Sequence, residues 1–382
     1  MTVICLDHNA TTPPDPAVRD EMAACLDGAL GNPSSIHSLG QEARRVIDKA
    51  RAQVARLIGA QPEEIVFTSG GTEANNLAIF GSVAATKRPR SHVVTTAIEH
   101  RAVLGPCRHI EQAGGSVTFL AVDREGLLDP ASAISSLRDE TVIASIMLAN
   151  NDVGTVQPVA ALSAKTRERG ILLHSDAVQA VGKLPVEVNT LGVDLMSFSG
   201  HKLHGPQGVG ALYIRTGTML SPLVFGGRQE RGLRPGTENV AAIAGFGKAC
   251  ELAAGRLAED AAHLNALRFS FEAALLDRVR GATINGRGAP RLSNTSNVCF
   301  DGLDGEALTI NLDMLGLAVS TGAACGTADH EPSHVLTAMG RTIVEARSSV
   351  RFSFGRGNTQ EDVHRAVDLV ARAAEMMRKG RR

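Results

Sequence analysis

A lysine framed by small residues just past an apolar run is an uncommon placement, and Lys202 is one. Leu195-Met196-Ser197-Phe198-Ser199-Gly200-His201-Lys202 leads into Gly205-Pro206-Gln207-Gly208-Val209-Gly210, tight backbone that a solvent-facing lysine does not need. A second apolar run, Ile171-Leu172-Leu173-His174-Ser175-Asp176, ends on a carboxylate, which taken alone reads as a helix cap. A third, Ile65 to Thr68, runs into Ser69-Gly70-Gly71-Thr72-Glu73. There the free amides of a helix start and the hydroxyls converge as a phosphate cradle. The turn lacks the Gly-Lys-Ser/Thr ending of a nucleotide P-loop, so it suits a smaller phosphate group. Together the three features fit pyridoxal phosphate, with Lys202 as the imine-forming amine, Asp176 paired with the protonated pyridine nitrogen and the Thr72 turn on the phosphate. His100, just past the run at His92 to Thr95, stands where an imidazole would stack on the ring or move protons.

The run Val319 to Ala328 is a string of small residues with one thiol, Cys325. No bulky apolar neighbour buries it, so a reactive role stands beside a structural one. Cys325, His330 and His334 have ligand spacing, as do His201 and His204. Each set is incomplete, and no resident metal is expected. The other cysteines, Cys5, Cys25, Cys107, Cys250 and Cys299, lack CxxC spacing and read as reduced, mostly buried small residues.

These residues need a scaffold. Between about residues 65 and 214, short β-rich runs alternate with helical patterns, which predicts an α/β fold with a mainly parallel sheet and ligands outside the carboxyl ends of its strands. A long Ala- and Leu-rich helical stretch from about Glu238 to Val279 is expected to break near Gly255, where the domain boundary is placed. A smaller α/β unit follows, closed by a helix starting at Thr359, with Val363, Ala366, Val367 and Val370 on one apolar face. The chain's 382 residues suit a large domain plus a small one. With 39 basic against 40 acidic residues, neither nucleic acid nor membrane is an expected partner. No leader or spanning segment is read, so a cytoplasmic protein is expected.

The ordered set Leu6 to Thr12, Gly31 to Ser35, Thr68 to Glu73, Glu99-His100, Asn150 to Gly154, Asp176 to Gln179, Ser199 to Lys202, Arg231 to Asn239, Cys325 and Ser348 to Ser353 closely resembles the cysteine desulfurases of the NifS and IscS type, in the class V aminotransferase group. The resemblance covers nearly the whole chain. It implies the PLP-dependent transferase fold of type I, with a seven-stranded large domain at residues 13–255 and a small domain from 1–12 and 256–382. It also implies roles. Lys202 matches the Schiff-base lysine; Gly71, Thr72, Ser199 and His201 the phosphate contacts; Asp176 and Gln179 the partners of the ring nitrogen and phenolic oxygen; His100 the stacking histidine. Thr237 matches a threonine that reaches the neighbouring subunit's phosphate, implying a homodimer. Arg351, with Asn32 and Asn151, matches the clamp on the substrate carboxylate, and Asn151 also faces the cofactor.

The implied reaction takes sulfur from L-cysteine onto Cys325 as a persulfide, leaves alanine, and passes the sulfur to an iron–sulfur scaffold or other acceptor, with a transient cluster contact at Cys325. Lys202 moves the α proton. Selenocysteine lyase or another PLP-dependent enzyme of the same group is the alternative. Ala323, Asp152 and His8 depart from the common pattern. The segments at 201–204, 236–239 and 331–335 resemble the nitrogen-fixation branch more than the housekeeping one.

Overall fold

The computed structural model describes residues 3–28, 30–86, 91–321 and 331–379. A two-residue strand, β1 (Ile4–Cys5), comes first, followed by seven strands of one sheet: β2 (Ile65–Thr68), β3 (His92–Thr96), β4 (Ser116–Leu120), β5 (Thr141–Ser145), β6 (Leu172–Asp176), β7 (Leu195–Ser199) and β8 (Gly210–Ile214). Their order is β2-β8-β7-β6-β5-β3-β4. Every pairing is parallel except those of β8, which runs against both its neighbours. Strands β5 and β7 are buried along their whole length, because helices cover both faces, and so they read as unbroken apolar runs rather than alternating ones. The edge strand β4 is largely uncovered. β5 leaves the ladder at Ser145, although Leu148 N still donates to Asp176 O at 2.8 Å.

The small unit holds β9 (Ala282–Asn285), β10 (Thr295–Phe300), β11 (Leu317–Ala318) and β12 (Ser349–Ser353). β10 lies between β9 and β12 in an antiparallel sheet, while β11 pairs with β1 in parallel. Phe271, Phe300, Phe352 and Phe354 form its aromatic centre, with ring centroids 4.8 to 6.3 Å apart. The closing helix Gln360–Lys379 starts with a reciprocal cap, Thr359 N to Asp362 Oδ2 at 3.0 Å and Asp362 N to Thr359 Oγ1 at 3.2 Å.

One expectation is corrected here. The helix Val240–Arg278 runs 39 residues without a break at Gly255. Gly255 is exposed and a Cβ there would meet nothing. A helical glycine costs about 1 kcal/mol relative to alanine, and packing on both sides outweighs it. Ile243, Phe246 and Cys250 sit in the core under the large sheet, and Leu267, Phe271 and Leu275 in the second core. The helix is therefore a rigid beam between the two. Among the described residues no helix is long and apolar enough to cross a membrane.

The strand ends are held by close backbone approach. A Cβ on Gly210 would lie 2.7 Å from Gly70 Cα and 2.7 Å from Phe198 O, so β8 passes directly beneath the turn that follows β2. Gly210→Ala is expected to lose about 1–3 kcal/mol of stability, measured as a lower denaturant midpoint at unchanged m-value; an unchanged midpoint would contradict this packing.

Candidate active site

The residues singled out for chemistry leave the sheet at one edge. Gly71 and Thr72 start the helix after β2, His100 caps the helix after β3, Asn151 follows β5, Asp176 ends β6 and Lys202 lies in a 3₁₀ turn directly after β7. Together with Gln179, Ser199, His201 and Arg351 they line a cavity of about 350 Å³. Arg351 comes from β12, so the cavity lies between the two cores, at the carboxyl ends of the strands where open α/β sheets bind ligands.

Asp176 is buried and both its oxygens are engaged: Oδ1 accepts from Val178 N at 3.0 Å and Oδ2 from Asn75 Nδ2 at 2.7 Å. Lys202 Nζ donates to the carbonyls of Asn9 (2.5 Å) and Ala10 (2.6 Å). Arg351 Nη2 donates to Asp7 Oδ1 at 2.7 Å and Nη1 to Asn151 O at 3.1 Å, while its Nε is buried without a partner. His100 Nδ1 accepts from Ala102 N at 3.1 Å, so the neutral ring carries its proton on Nε2. His334 has the same tautomer with the other nitrogen engaged. Its Nε2 meets Glu99 O at 2.9 Å, and since a carbonyl only accepts, that nitrogen holds the proton and Nδ1 keeps the lone pair. Burial first, then the Lys202 charge, pushes His201 down to about 4.

The residues fit a pyridine cofactor bearing a phosphate. Ser199 Oγ lines the cavity, buried and without a partner. The first helical amides at Gly71 and Thr72 have no intrahelical acceptor. A Cβ on Gly71 would lie 2.5 Å from Val178 Cγ2, so only glycine lets the turn close over that end. Met147, Ala149 and Val178 supply apolar wall.

Two expected residues lie elsewhere in this chain. Asn32 is exposed and its Oδ1 accepts from Ser34 N at 2.9 Å, and Thr237 is exposed on the loop before the long helix; neither lines the cavity. Cys325 and His330 lie outside the described residues. Among the described residues no group of three or more His, Cys, Asp or Glu is placed to hold a metal ion. His201 Nδ1 is 3.1 Å from Thr11 Oγ1 and His204 Nδ1 is 3.0 Å from Pro13 O. Of the other cysteines, Cys107, Cys250 and Cys299 are buried, whereas Cys5 is exposed because Ile4 takes the inward position on their two-residue strand.

Sequence reasoning gave no role to Asn9, Asn75 and Ser333 and weighed His334 only as a metal ligand; all four line the cavity. Asn75 was findable, since it lies one helical turn from Gly71 and so on the same face. Asp152, a departure from the family pattern, accepts from Ser333 Oγ and from Asn297 Nδ2 at 2.8 Å. It thereby fastens β10 and the Glu331–Val335 wall to the large unit.

A family model, aminotransferase class-V, matches residues 4–366. The cysteine desulfurase IscS of Dictyoglomus turgidum is 46% identical over 375 residues, covering 98% of this chain and 95% of that protein. A putative cysteine desulfurase, IscS 1 of Bacillus subtilis, is also 46% identical, covering 97% and 98%. Among solved structures, a NifS-like protein matches with a TM-score of 0.91 at 36% identity over 98% of this chain and 100% of that one. SspA in complex with cysteine matches at 0.81 and 35% identity, over 92% and 99%.

Glu99, beside His100, offers a pH test. Burial pushes its carboxyl up to about 8, although Oε1 accepts from Met147 N and Thr96 Oγ1, both at 2.8 Å. The folded chain thus keeps a proton that the unfolded chain releases near the ordinary value of about 4.3. That contribution to stability is present below this value and is lost as pH rises through about 8. Wild type is expected to lose stability relative to Glu99→Gln across that window in paired denaturant titrations; parallel curves would contradict it.

Proposed function

The chain belongs to the class-V aminotransferase family and, within it, to the cysteine desulfurases, and we propose that it converts L-cysteine to L-alanine by passing the sulfur to Cys325. The observation that carries the reading is the convergence of Lys202, Asp176, His100 and Arg351 on one cavity between the two cores. Pyridoxal phosphate, when bound, supplies an electron sink for negative charge at the substrate α carbon. Lys202 would be its attachment point, Asp176 the partner of its ring nitrogen, Gln179 of its phenolic oxygen, and His100 its stacking neighbour. Gly71, Thr72, Ser199 and His201 would hold the phosphate, with Asn151 beside the ring.

The chain's own groups divide the remaining work. Arg351, braced by Asp7, binds the substrate carboxylate with the unpaired edge of its guanidinium. Lys202, on a turn fixed by the Asn9 and Ala10 carbonyls, takes the α proton as a base and later returns one. His100, whose Nε2–H is left free by its cap geometry, donates a hydrogen bond to departing or incoming groups. The Cys325 thiolate attacks the substrate sulfur; the carbon–sulfur bond breaks, a sulfur–sulfur bond forms, and alanine leaves with a proton in place of its sulfur. The persulfide then passes to a second thiol on an iron–sulfur assembly protein or a related acceptor, nitrogenase maturation being the branch that the 201–204, 236–239 and 331–335 segments favour.

We infer that the active form is a homodimer. Exposed Thr237 supports this, as do the uncovered apolar side chains Met219, Leu223, Val224 and Phe225 earlier on the same connection, an unusual run of exposed apolar surface for a monomer. Asn32, away from this chain's cavity, is assigned to the same surface.

Cys325→Ser should abolish sulfide release from cysteine and leave the visible band of the bound cofactor intact, whereas Lys202→Ala should lose that band. Cysteine turnover retained by Cys325→Ser would overturn the persulfide route.

A further inference from the structure

Lys183 stands four residues past Gln179, in the turn that follows β6, with 9% of its surface exposed. A buried ammonium ordinarily sits against a carboxylate. Lys183 sits instead against two amides: Nζ donates to Gln179 Oε1 at 2.7 Å and to Asn9 Oδ1 at 3.0 Å. Lys202 and Arg351 lie near enough to repel a charge on it, and burial acts first in the same direction, holding Lys183 well below the usual lysine range. An uncharged amine still carries two N–H bonds, one for each oxygen it meets.

These contacts determine which way an amide points. At its other end the Gln179 amide meets the carbonyl of Asn9, to which Nε2 donates at 2.9 Å. A flip by 180° would break the Lys183 N–H···Oε1 bond and set acceptor against acceptor at the Asn9 carbonyl. Only one orientation satisfies both neighbours. Nε2 has a second N–H, and Gln179 lines the cavity. The cavity side of this side chain is therefore a donor and not a carbonyl.

We propose that Lys183 is a positioning residue that locks the Gln179 amide with its N–H toward the cavity, as the donor to the cofactor's phenolic oxygen. This rests on the reading above that Gln179 faces that oxygen. Lys183 does not line the cavity and acts through Gln179 and Asn9.

The test compares Lys183→Met, Gln179→Leu and the double variant, each loaded with pyridoxal phosphate, by absorption spectrum and by cofactor retention on dialysis. Lys183→Met should move the spectrum in the same direction as Gln179→Leu, from the visible band toward the near-ultraviolet band of the protonated phenol form. It should also weaken retention roughly tenfold, the effect of one buried hydrogen-bonding group left unmet. The double variant should go no further than Gln179→Leu alone. A wild-type spectrum and retention in Lys183→Met, or an added effect in the double variant, overturns the proposal. If Lys183→Met does not fold, Lys183→Gln, whose amide N–H reaches one of the two oxygens, should give a smaller change in the same direction, and a wild-type spectrum there overturns the proposal equally. A crystal structure of the loaded wild type with Lys183 Nζ beyond hydrogen-bond distance of Gln179 Oε1 also overturns it. A wild type that forms no imine band with added cofactor would instead count against the cofactor reading, and the Lys183–Gln179 distance still decides the lock.

Discussion

Asn9 has a side chain with no chemistry of its own, yet every polar atom it owns is engaged across the seam between the two cores. Its backbone N–H donates to Ser353 Oγ, its carbonyl accepts from Gln179 and Lys202, its Oδ1 accepts from Lys183 and Asn294, and its Nδ2 donates to Asn151 O and Thr295 Oγ1. Ser353, Asn294 and Thr295 belong to the small unit or its approach, and Gln179, Lys183 and Lys202 to the large one. One buried amide therefore sets the distance between the surface that carries Lys202 and the surface that carries Arg351. Such a network is costly to leave half-made, because each buried polar atom without a partner costs about 1–3 kcal/mol. That cost holds the site open in one geometry. The long helix Val240–Arg278, packed into both cores, adds stiffness over a larger scale.

The electrostatics follow from the same seam. Arg101, Lys202 and Arg351 line the cavity together with Asp176 and Glu331, and Asp7 pairs with Arg351, a setting that suits a ligand bearing anionic groups. Neighbouring imidazoles do not add to the charge. His8 and His201 are both held down at about 4, in each case first by burial. His174 falls to about 3 by burial alone. Backbone contacts decide which nitrogen His100 and His334 leave free: Nε2 on His100, whose Nδ1 accepts from Ala102 N, and Nδ1 on His334, whose Nε2 meets Glu99 O.

Much of this was legible in the chain. β2 and β7 and the turns beyond them are local features, written in apolar runs and in glycines that backbone approach requires, as at Gly71 and Gly210. Lys202, Asp176 and His100 were readable because each closes such a run. Asn9 was not, because its partners lie from 142 to 344 residues away and an amide in a loop has no periodicity to betray it. Lys183 looked like any turn lysine; only tertiary burial separates it from a solvated one. The expected break at Gly255 failed for a related reason, since local propensity carries no information about the two cores that grip the helix. Asn32 and Thr237 are exposed and lie away from the cavity, and the surface proposed for them is one that a single chain's sequence pattern does not outline.

Sulfur transfer to Cys325 is the step on which the account turns. The measurement that tests it most directly is the mass of the Cys325 peptide after the loaded protein has been incubated with L-cysteine and its thiols blocked. The account predicts one added sulfur atom on that peptide, removed by reductant and absent when Lys202 is replaced by Ala. Alanine formed in stoichiometric amount with an unmodified Cys325 peptide, or with the added sulfur on another cysteine, would contradict it.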